Sequence, residues 1–299
     1  MKKILVVGSL NMDVSVRMER LPAAGETVRG AGYWNNPGGK GANQACAAAR
    51  LGGQVSMLGC VGEDDYGTVL LTRLSASGVD VSGVERVEDM PTGTAFIFTD
   101  RMAGNSIVII GGANERCTVP YIRRHEDQLR DCDLILLQLE IPLETVCYVA
   151  ERAAALGKQV ILDPAPARPD LPERLLREVD ILTPNETELA LLAGTEEQTP
   201  EASAKRLLAV SGGCVITTMG ASGVLLTTAQ ESRRIPGIKA AAVDTTAAGD
   251  CFNGALAVEL AAGRPLEAAV AFANRAAALS TTRRGAQSSL PERCEVELS

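Results

Sequence analysis

The sequence predicts an α/β fold in which a mainly parallel sheet is covered on both faces by helices, with a small β-sheet appended to it. Short continuous apolar runs at 4–7, 55–61, 134–139, 160–162, 181–182 and 215–218 have the character of strands buried on both faces. Amphipathic stretches of helical period separate them, at 41–51, 66–77, 143–156 and 202–210. The chain has 299 residues, 46% of them hydrophobic, which is enough for one large core. Its low aromatic content of 3%, with abundant Ala, Val, Leu and Gly, suits helices packed closely over a sheet.

From the N-terminus, Met1-Lys2-Lys3 leads into the first strand at 4–7, an apolar stretch too short for a signal peptide. Residues 13–37 are extended and alternating, with Gly25, Gly30 and Gly32 as turn signals. Residues 92–110 read as a hairpin, with strands at 94–99 and 106–110 around a turn at Arg101-Met102-Ala103-Gly104-Asn105. Neither insertion has a helix after it to cover it, so the two are expected to build one small sheet. Such an appendage is a candidate lid that excludes water during chemistry, or else a surface embellishment or dimer contact. The last third is helix-rich, at 248–261 and from 266 to about 282. No repeat or long linker divides the chain, so a single domain over 1–299 is expected, with the lid at about 13–37 and 92–110. No segment approaches the length of a membrane span, and a cytoplasmic protein is expected.

Composition narrows the function. The formal net charge is −8 and Lys and Arg form no long block, so the electrostatic footprint of a nucleic-acid binder is missing. An anionic ligand would be held by local devices such as helix N-termini. The eight cysteines (Cys46, Cys60, Cys117, Cys132, Cys147, Cys214, Cys251 and Cys294) are scattered without a C-x-x-C, as expected for reduced, structural thiols. His125, among Arg123, Arg124 and Glu126, is the single histidine and is expected on a solvated helix face, so a Ser-His-Asp or Cys-His mechanism has no support.

Four motifs carry chemistry. In Asp244-Thr245-Thr246-Ala247-Ala248-Gly249-Asp250-Cys251-Phe252-Asn253-Gly254, an extended 241–243 leads through small residues into a helix. Thr245 or Thr246 is placed near the N-cap, and Ala247, Ala248 and Gly249 leave backbone N–H groups open to an anion. Gly249 and Gly254 are poor helix formers and suggest a close approach to the backbone. Asp250, in the first turn, is expected to stay ionised beside the helix dipole. A carboxylate beside a phosphate cradle is what phosphoryl transfer requires, although an ordinary helix cap has the same local pattern. Asn36-Pro37-Gly38-Gly39-Lys40-Gly41-Ala42-Asn43 is not a P-loop, because Lys40 is followed by Gly. Its glycines would let a polyol approach the backbone, with Lys40 and Asn43 as donors, or it is a Gly-rich turn opening a helix. Gly8-Ser9-Leu10-Asn11-Met12-Asp13 lacks the dinucleotide fingerprint and suits either sugar hydroxyls or a plain turn. At Thr183-Pro184-Asn185-Glu186-Thr187-Glu188, the Asn185 and Glu188 spacing is that of a helix capping box, with a hydrated magnesium at Glu188 as the functional alternative.

In chain order, the motif beginning at Gly8, Gly38-Gly39-Lys40-Gly41-Ala42-Asn43-Gln44, Gln138-Leu139-Glu140, Pro164-Ala165-Pro166-Ala167, Thr183-Pro184-Asn185-Glu186, the 244–250 segment and Arg283-Arg284-Gly285-Ala286-Gln287 resemble the phosphofructokinase-B, or ribokinase-like, family of sugar and nucleoside kinases. The resemblance runs through nearly the whole chain. It implies a three-layer α/β/α ribokinase-like fold with a β-sheet lid that can also form a homodimer interface. It implies that Asn11, Asp13, Gly39, Lys40, Asn43 and Glu140 hold a sugar. Asp250 matches the catalytic base, which also meets the substrate, and Ala247, Ala248 and Gly249 match the anion hole. Asn185, Thr218, Gly220, Gly223, Gly249 and Asn274 match ATP contacts. Asp244, Thr246, Ser280, Arg283, Gly285 and Ser289 match a monovalent-cation site, usually for potassium (K+), with several backbone carbonyls among the ligands. Glu188 would hold Mg2+ through water.

The implied reaction is in-line transfer of the γ-phosphate of Mg-ATP to the primary 5-hydroxyl of a pentose: D-ribose, 2-deoxyribose or another furanose. Phe96, Phe98 and Ile109 of the lid would set the preference. Thr246 stands where relatives often carry an aliphatic residue, and Cys251 where Thr is common; neither change removes a reacting group. Two rivals are weighed against this. A catalytically silent sugar-binding regulator on the same fold would lose Asp250 or its glycine, and both are present. A nicotinamide-dependent oxidoreductase would need a dinucleotide fingerprint after the first strand, where only Gly8 stands.

Overall fold

The structure is a computed structural model that describes residues 2–102, 104–194 and 199–298. The main sheet uses β1 (Lys3–Val7), β4 (Gln54–Gly62), β5 (Asp80–Val87), β8 (Leu134–Leu137), β9 (Gln159–Leu162), β10 (Ile181–Leu182), β11 (Cys214–Thr218), β12 (Gly223–Thr227) and β13 (Ser232–Pro236). Their order is β13-β12-β11-β10-β9-β8-β1-β4-β5, parallel throughout except at β12 and β13.

The apolar strands place alternate residues on opposite faces, and both faces are covered. Ile4 and Val6 of β1 pack in one core with α1 (Lys40–Arg50), α2 (Asp65–Ala76), α9 (Ala248–Ala261), α10 (Leu266–Ser280) and α11 (Arg293–Leu298). Leu5 and Val7 pack in the other core, with α3 (Val119–Arg124), α4 (Glu126–Asp131), α5 (Leu143–Ala155), α6 (Glu173–Arg177), α7 (Glu186–Ala193) and α8 (Pro200–Ser211). The helix starts follow local chemistry: the Asp64 side chain accepts from Gly67 N at the head of α2, and Thr199 with Pro200 opens α8.

The six expected strands and six expected helices are all present, with ends shifted by a residue or two at most sites. The main differences have physical causes. β5, β12 and β13 are not among the expected strands: β5 and β13 are the two edges of the sheet and carry polar residues there, whereas β12 is a short buried strand running antiparallel to both its neighbours. The run at 134–139 leaves the ladder after Leu137, so Gln138 and Glu140 turn toward the site instead of continuing the strand. Residues 241–243 are irregular rather than extended in a sheet, and Val243 N is held by the Thr281 carbonyl at 2.7 Å. His125 is half-buried between α3 and α4, not on a solvated helix face; its ring lies 4.8 Å from that of Tyr121 and its Nε2 is 3.3 Å from Glu85.

The two insertions meet in a second sheet of order β3-β2-β6-β7, formed by β2 (Asn11–Met18), β3 (Gly30–Gly38), β6 (Gly93–Thr99) and β7 (Asn105–Ile110). Ala103, in the expected turn between β6 and β7, lies outside the described residues. The roots of three strands converge, since Asn11 pairs with both Gly38 and Gly93. Apolar side chains stand exposed on this sheet: Tyr33 is 72% exposed, Trp34 47%, and Ile107, Val108 and Ile109 each 53%. All eight cysteines are free and all but Cys294 are buried. Burial pushes the thiols of Cys60, Cys132, Cys214 and Cys251 up to about 12, so they behave as small apolar side chains.

Candidate active site

Polar side chains leave the carboxyl ends of successive parallel strands: Ser9 after β1, Gln138 and Glu140 after β8, Asp163 after β9, Asn185 after β10 and Thr218 at the end of β11. In the sheet, β1 has β4 on one side and β8 on the other, so the strand order reverses there. Open α/β sheets bind ligands at such a switch point.

Asp250 lies in the first turn of α9 and is buried. Its Oδ2 accepts from Asn43 Nδ2 at 2.9 Å and its Oδ1 from Gln44 Nε2 at 3.2 Å. Gly254 makes these bonds possible. A Cβ there would lie 2.7 Å from Ala47 Cβ and 2.8 Å from both Ala48 N and Gln44 O, so α1 crosses α9 on its bare backbone. The close approach expected at Gly254 is therefore helix α1, whereas open space surrounds the Cβ position of Gly249.

Burial pushes the Asp250 carboxyl up, with Glu140 adding to it, while Lys40, Asn43 and Gln44 oppose the rise. The expectation that Asp250 stays ionised beside the helix dipole thus meets a balance of burial against named partners. A raised carboxylate is a better general base.

No side chain caps α9. Its N-cap is Ala247, in the left-handed conformation at φ 58, and Thr246 Oγ1 bonds Asp244 Oδ1 at 2.6 Å instead of the helix end. The threonine cap expected from sequence is not formed. A left-handed alanine is strained. The Ala248 N–H is engaged by Thr245 O at 3.2 Å, whereas the Ala247 and Gly249 N–H groups have no partner among the described residues.

The sugar set gathers where the two sheets join. Ser9 Oγ donates to Glu140 Oε2 at 2.6 Å, and Lys40 N donates to the same oxygen at 3.1 Å. Asn11 Oδ1 accepts from the buried Asn114 Nδ2 at 2.7 Å, which leaves the Asn11 NH2 as a donor for another partner. A Cβ on Gly38 would lie 2.2 Å from Asp13 Oδ2, and one on Gly39 (φ 87) 2.6 Å from Asn11 N, so both glycines give room to their partners. Burial, with Glu140 and Asp250 nearby, pushes Asp13 up to about 7. Asn43 is buried and its Oδ1 has no hydrogen-bond partner among the described residues.

Two cavities meet at Thr218, Thr245, Ala248 and Gly249. The larger, about 660 Å³, is lined by Gly220, Gly223 and Asn274 among others; Asn274 Nδ2 is fixed by Pro236 O at 2.9 Å. The smaller, about 260 Å³, is lined by Lys40, Asp163, Asn185, Glu188, Ala247, Asp250 and Asn253. Asn185 and Glu188 form the capping box of α7, with bonds of 2.9 and 2.8 Å, so the structural reading of that motif holds while both still face the cavity. Burial pushes Glu188 up, and it pushes Asp163 up to about 8 despite Lys40. Burial works against the charge on Lys40, but Asp163, Asp250, Glu140 and Glu188 outweigh it and hold the ammonium protonated.

Of the six residues expected around a monovalent cation, three are joined directly. Asp244 accepts from Thr246 N at 2.9 Å through Oδ1 and from Gly285 N at 2.9 Å through Oδ2. Ser280 ends α10 beside Thr281, whose carbonyl takes Val243 N and Asp244 N. Arg283 is engaged by Glu295 at 2.5 Å, and Ser289 Oγ bonds Ala286 O at 2.8 Å. Burial pushes the Asp244 carboxyl up, but its bonds to Gly285 and Thr246 win and hold it below the usual range.

Sequence reasoning missed Ser9, Gln44, Asn114, Gln138 and Asp163 as members of this cluster. Asp163 had a signal, a carboxylate closing a buried strand directly before Pro164. Gln44 and Gln138 stand in motifs that carry the resemblance but had no role assigned, and Asn114 had no signal, since its partners are distant in the chain.

The family model for pfkB family carbohydrate kinases matches residues 1–293. The chain is 44% identical over 297 residues to the ribokinase of Bacillus subtilis, covering 99% of each chain. It is 38% identical to the deoxyribokinase of Salmonella typhi, covering 96% of this chain and 95% of the other. Among solved structures, the ribokinase of Thermotoga maritima superposes with TM-score 0.93 at 41% identity, covering 100% of this chain and 99% of that one. The Arabidopsis thaliana ribokinase complexed with ribose and ATP gives TM-score 0.91 at 35% identity, covering 99% and 98%. The chain belongs to the pfkB family of carbohydrate kinases and is a phosphotransferase with an alcohol acceptor.

Proposed function

We propose that the chain transfers the γ-phosphate of ATP to the primary 5-hydroxyl of D-ribose, with Asp250 as the base. The observation that carries this reading is the position of the Asp250 carboxylate. It is buried at the uncapped start of α9, held by α1, and lines a cavity that opens into the larger one at Gly249. The nucleotide occupies the larger cavity against Thr218, Gly220, Gly223 and Asn274, with Asn185 at the phosphate end. The Gly249 and Ala247 N–H groups take the charge that develops on the transferring group, with Ala248 in the same turn. Asn11, Asp13, Gly39, Lys40, Asn43 and Glu140 hold the sugar, and Asp250 takes the hydroxyl proton.

Mg2+ fits the smaller cavity, where Glu188, Asp163 and the unpartnered Oδ1 of Asn253 offer hard oxygen atoms suited to a hydrated ion. It would supply charge neutralisation on the phosphates. K+ fits the loop around Asp244, whose ionised carboxylate ties Thr246 to Gly285; carbonyls of Ser280, Arg283 and Ser289 would complete the set. The second sheet acts as a lid over the sugar within a single domain and pairs two copies into a homodimer through exposed apolar residues. Of the three residues expected to set the preference, Ile109 shares the Asp13 face through Ala95, whereas Phe96 and Phe98 lie on the other face, with Phe96 against the main core. No helix among the described residues is long and apolar enough to cross a membrane. Use of ATP and a set of free thiols suit the cytoplasm.

A coupled assay over ribose, 2-deoxyribose, fructose and adenosine, with and without potassium, tests the reading. Ribose is expected to give the highest kcat/KM, and potassium to raise it. A preference for 2-deoxyribose, which the deoxyribokinase relative makes the second reading, would replace ribose. Asp250→Asn is expected to abolish turnover while ribose binding stays within about tenfold, because a base acts chiefly in the transition state. Equal turnover by mutant and wild type would remove Asp250 from its role.

A further inference from the structure

Asp250 is held from α1 by two consecutive side chains whose surroundings differ. Asn43 is in the expected sugar set and has a free Oδ1. Gln44 is wholly buried and lines neither cavity. Its Nε2 donates to Asp163 Oδ2 at 2.8 Å and to Asp250 Oδ1 at 3.2 Å, so one amide nitrogen bridges two carboxylates. Its Oε1 accepts from Gln138 Nε2 at 2.7 Å, and Gln138 is also wholly buried.

The amide orientation follows from its partners. The Gln44 NH2 faces acceptor oxygens of Asp163 and Asp250, and its oxygen is then left for a donor, which Gln138 supplies. Gly8 leaves the space for this, since a Cβ there would lie 2.0 Å from Gln138 Oε1. Backbone after β1, a side chain after β8, helix α1 and helix α9 thus form one chain of contacts ending on the base.

We propose that Gln44, oriented by Gln138, is a positioning residue that ties Asp250 Oδ1 to Asp163 and, with Asn43 on Oδ2, fixes the orientation of the carboxylate that receives the proton. The inference rests on the kinase reading given above. In the step, the acceptor O–H bond breaks and its proton passes to the Asp250 carboxylate. The acceptor oxygen bonds the γ-phosphorus, and the electron pair of the breaking P–O bond leaves with ADP. The groups facing Asp250 are Lys40 from α1, Glu140 after β8, Asp163 after β9 and Asp13 in β2, and Glu188 of α7 faces Lys40 and Asp163. Removing the Gln44 donor removes one of the contacts that oppose burial, so the base titrates higher.

The test compares Gln44→Leu and Gln138→Met with wild type and Asp250→Asn, reading kcat, KM for ribose and the pH profile of kcat. Gln44→Leu is expected to lower kcat by roughly ten- to a hundredfold, the loss of one charge-assisted hydrogen bond, with KM within about threefold. The acid limb of the profile should move up by about one pH unit. Gln138→Met should move both readouts the same way by less, and it decides the matter alone should Gln44→Leu not fold. A role confined to packing would lower the melting temperature and leave kcat and the acid limb where they are, which would overturn the proposal. Asp250→Asn separates the two levels. An inert Asp250→Asn beside an unperturbed Gln44→Leu refutes the positioning role only, whereas a fully active Asp250→Asn refutes the underlying assignment of the base.

Discussion

Gly254→Ala tests whether the crossing of α1 and α9 sets the base. The added methyl would sit 2.7 Å from Ala47 Cβ and 2.8 Å from Ala48 N and Gln44 O. Carbon atoms in ordinary contact stay about 3.5–4.0 Å apart, so the helices must separate by roughly 1 Å. Overpacking of this kind costs about 1–3 kcal/mol, and the better helix propensity of alanine returns about 1 kcal/mol, which leaves a modest loss of stability. The effect on turnover is expected to be larger. Asn43 and Gln44 sit on the displaced helix with bonds of 2.9 and 3.2 Å to Asp250, and a shift of that size breaks or misaligns them. Misplacement by about 1 Å costs about a hundredfold in rate. Urea unfolding and steady-state kinetics on the same preparation separate the two effects. A Gly254→Ala enzyme with wild-type kcat would show that the close helix crossing does not position the base.

Gly249→Ala should behave in the opposite way, because no atom lies within 4 Å of the Cβ position. Stability should hold or rise slightly, while kcat/KM for ATP falls as the methyl enters the phosphate path; unchanged kinetics would move the phosphate elsewhere. Asp13→Asn should alter the pH dependence of stability. The folded carboxyl at about 7 stands above its ordinary 3.8, so the native state binds more protons between those values and loses stability as pH rises through that window. Asparagine cannot ionise, so the variant should be the more stable protein at pH 8, by at most about 4 kcal/mol, and should match wild type near pH 4; equal unfolding curves at both pH values would contradict the burial argument. Ile107→Lys with Trp34→Lys should convert a dimer to a monomer by light scattering, because both are exposed and the register through Ser15 and Ile97 puts them on one face of the second sheet. A wild-type protein that is already monomeric removes the dimer reading.

The sequence by itself determined the layers and the chemistry. Continuous apolar strands such as 134–137 and 160–162 can be stable only when both faces are covered, and small residues before Asp250 mark a helix start open to an anion. These signals are local in the chain, so a reader of residues can find them. The strand-edge positions β5 and β13 were harder, because an edge strand is half solvated and its pattern is mixed.

Only the tertiary structure decided what holds the base. Gln44 and Gln138 are neutral amides 94 residues apart, and Asp163 and Asp250 reach Gln44 from still further along the chain. No periodicity encodes such a meeting; it arises because Gly254 lets two helices touch and because β1, β8 and β9 end side by side. The same assembly sets the charge balance, since burial at the junction of the two sheets raises Asp13, Asp163 and Asp250 by an amount that depends on neighbours brought from four separate elements.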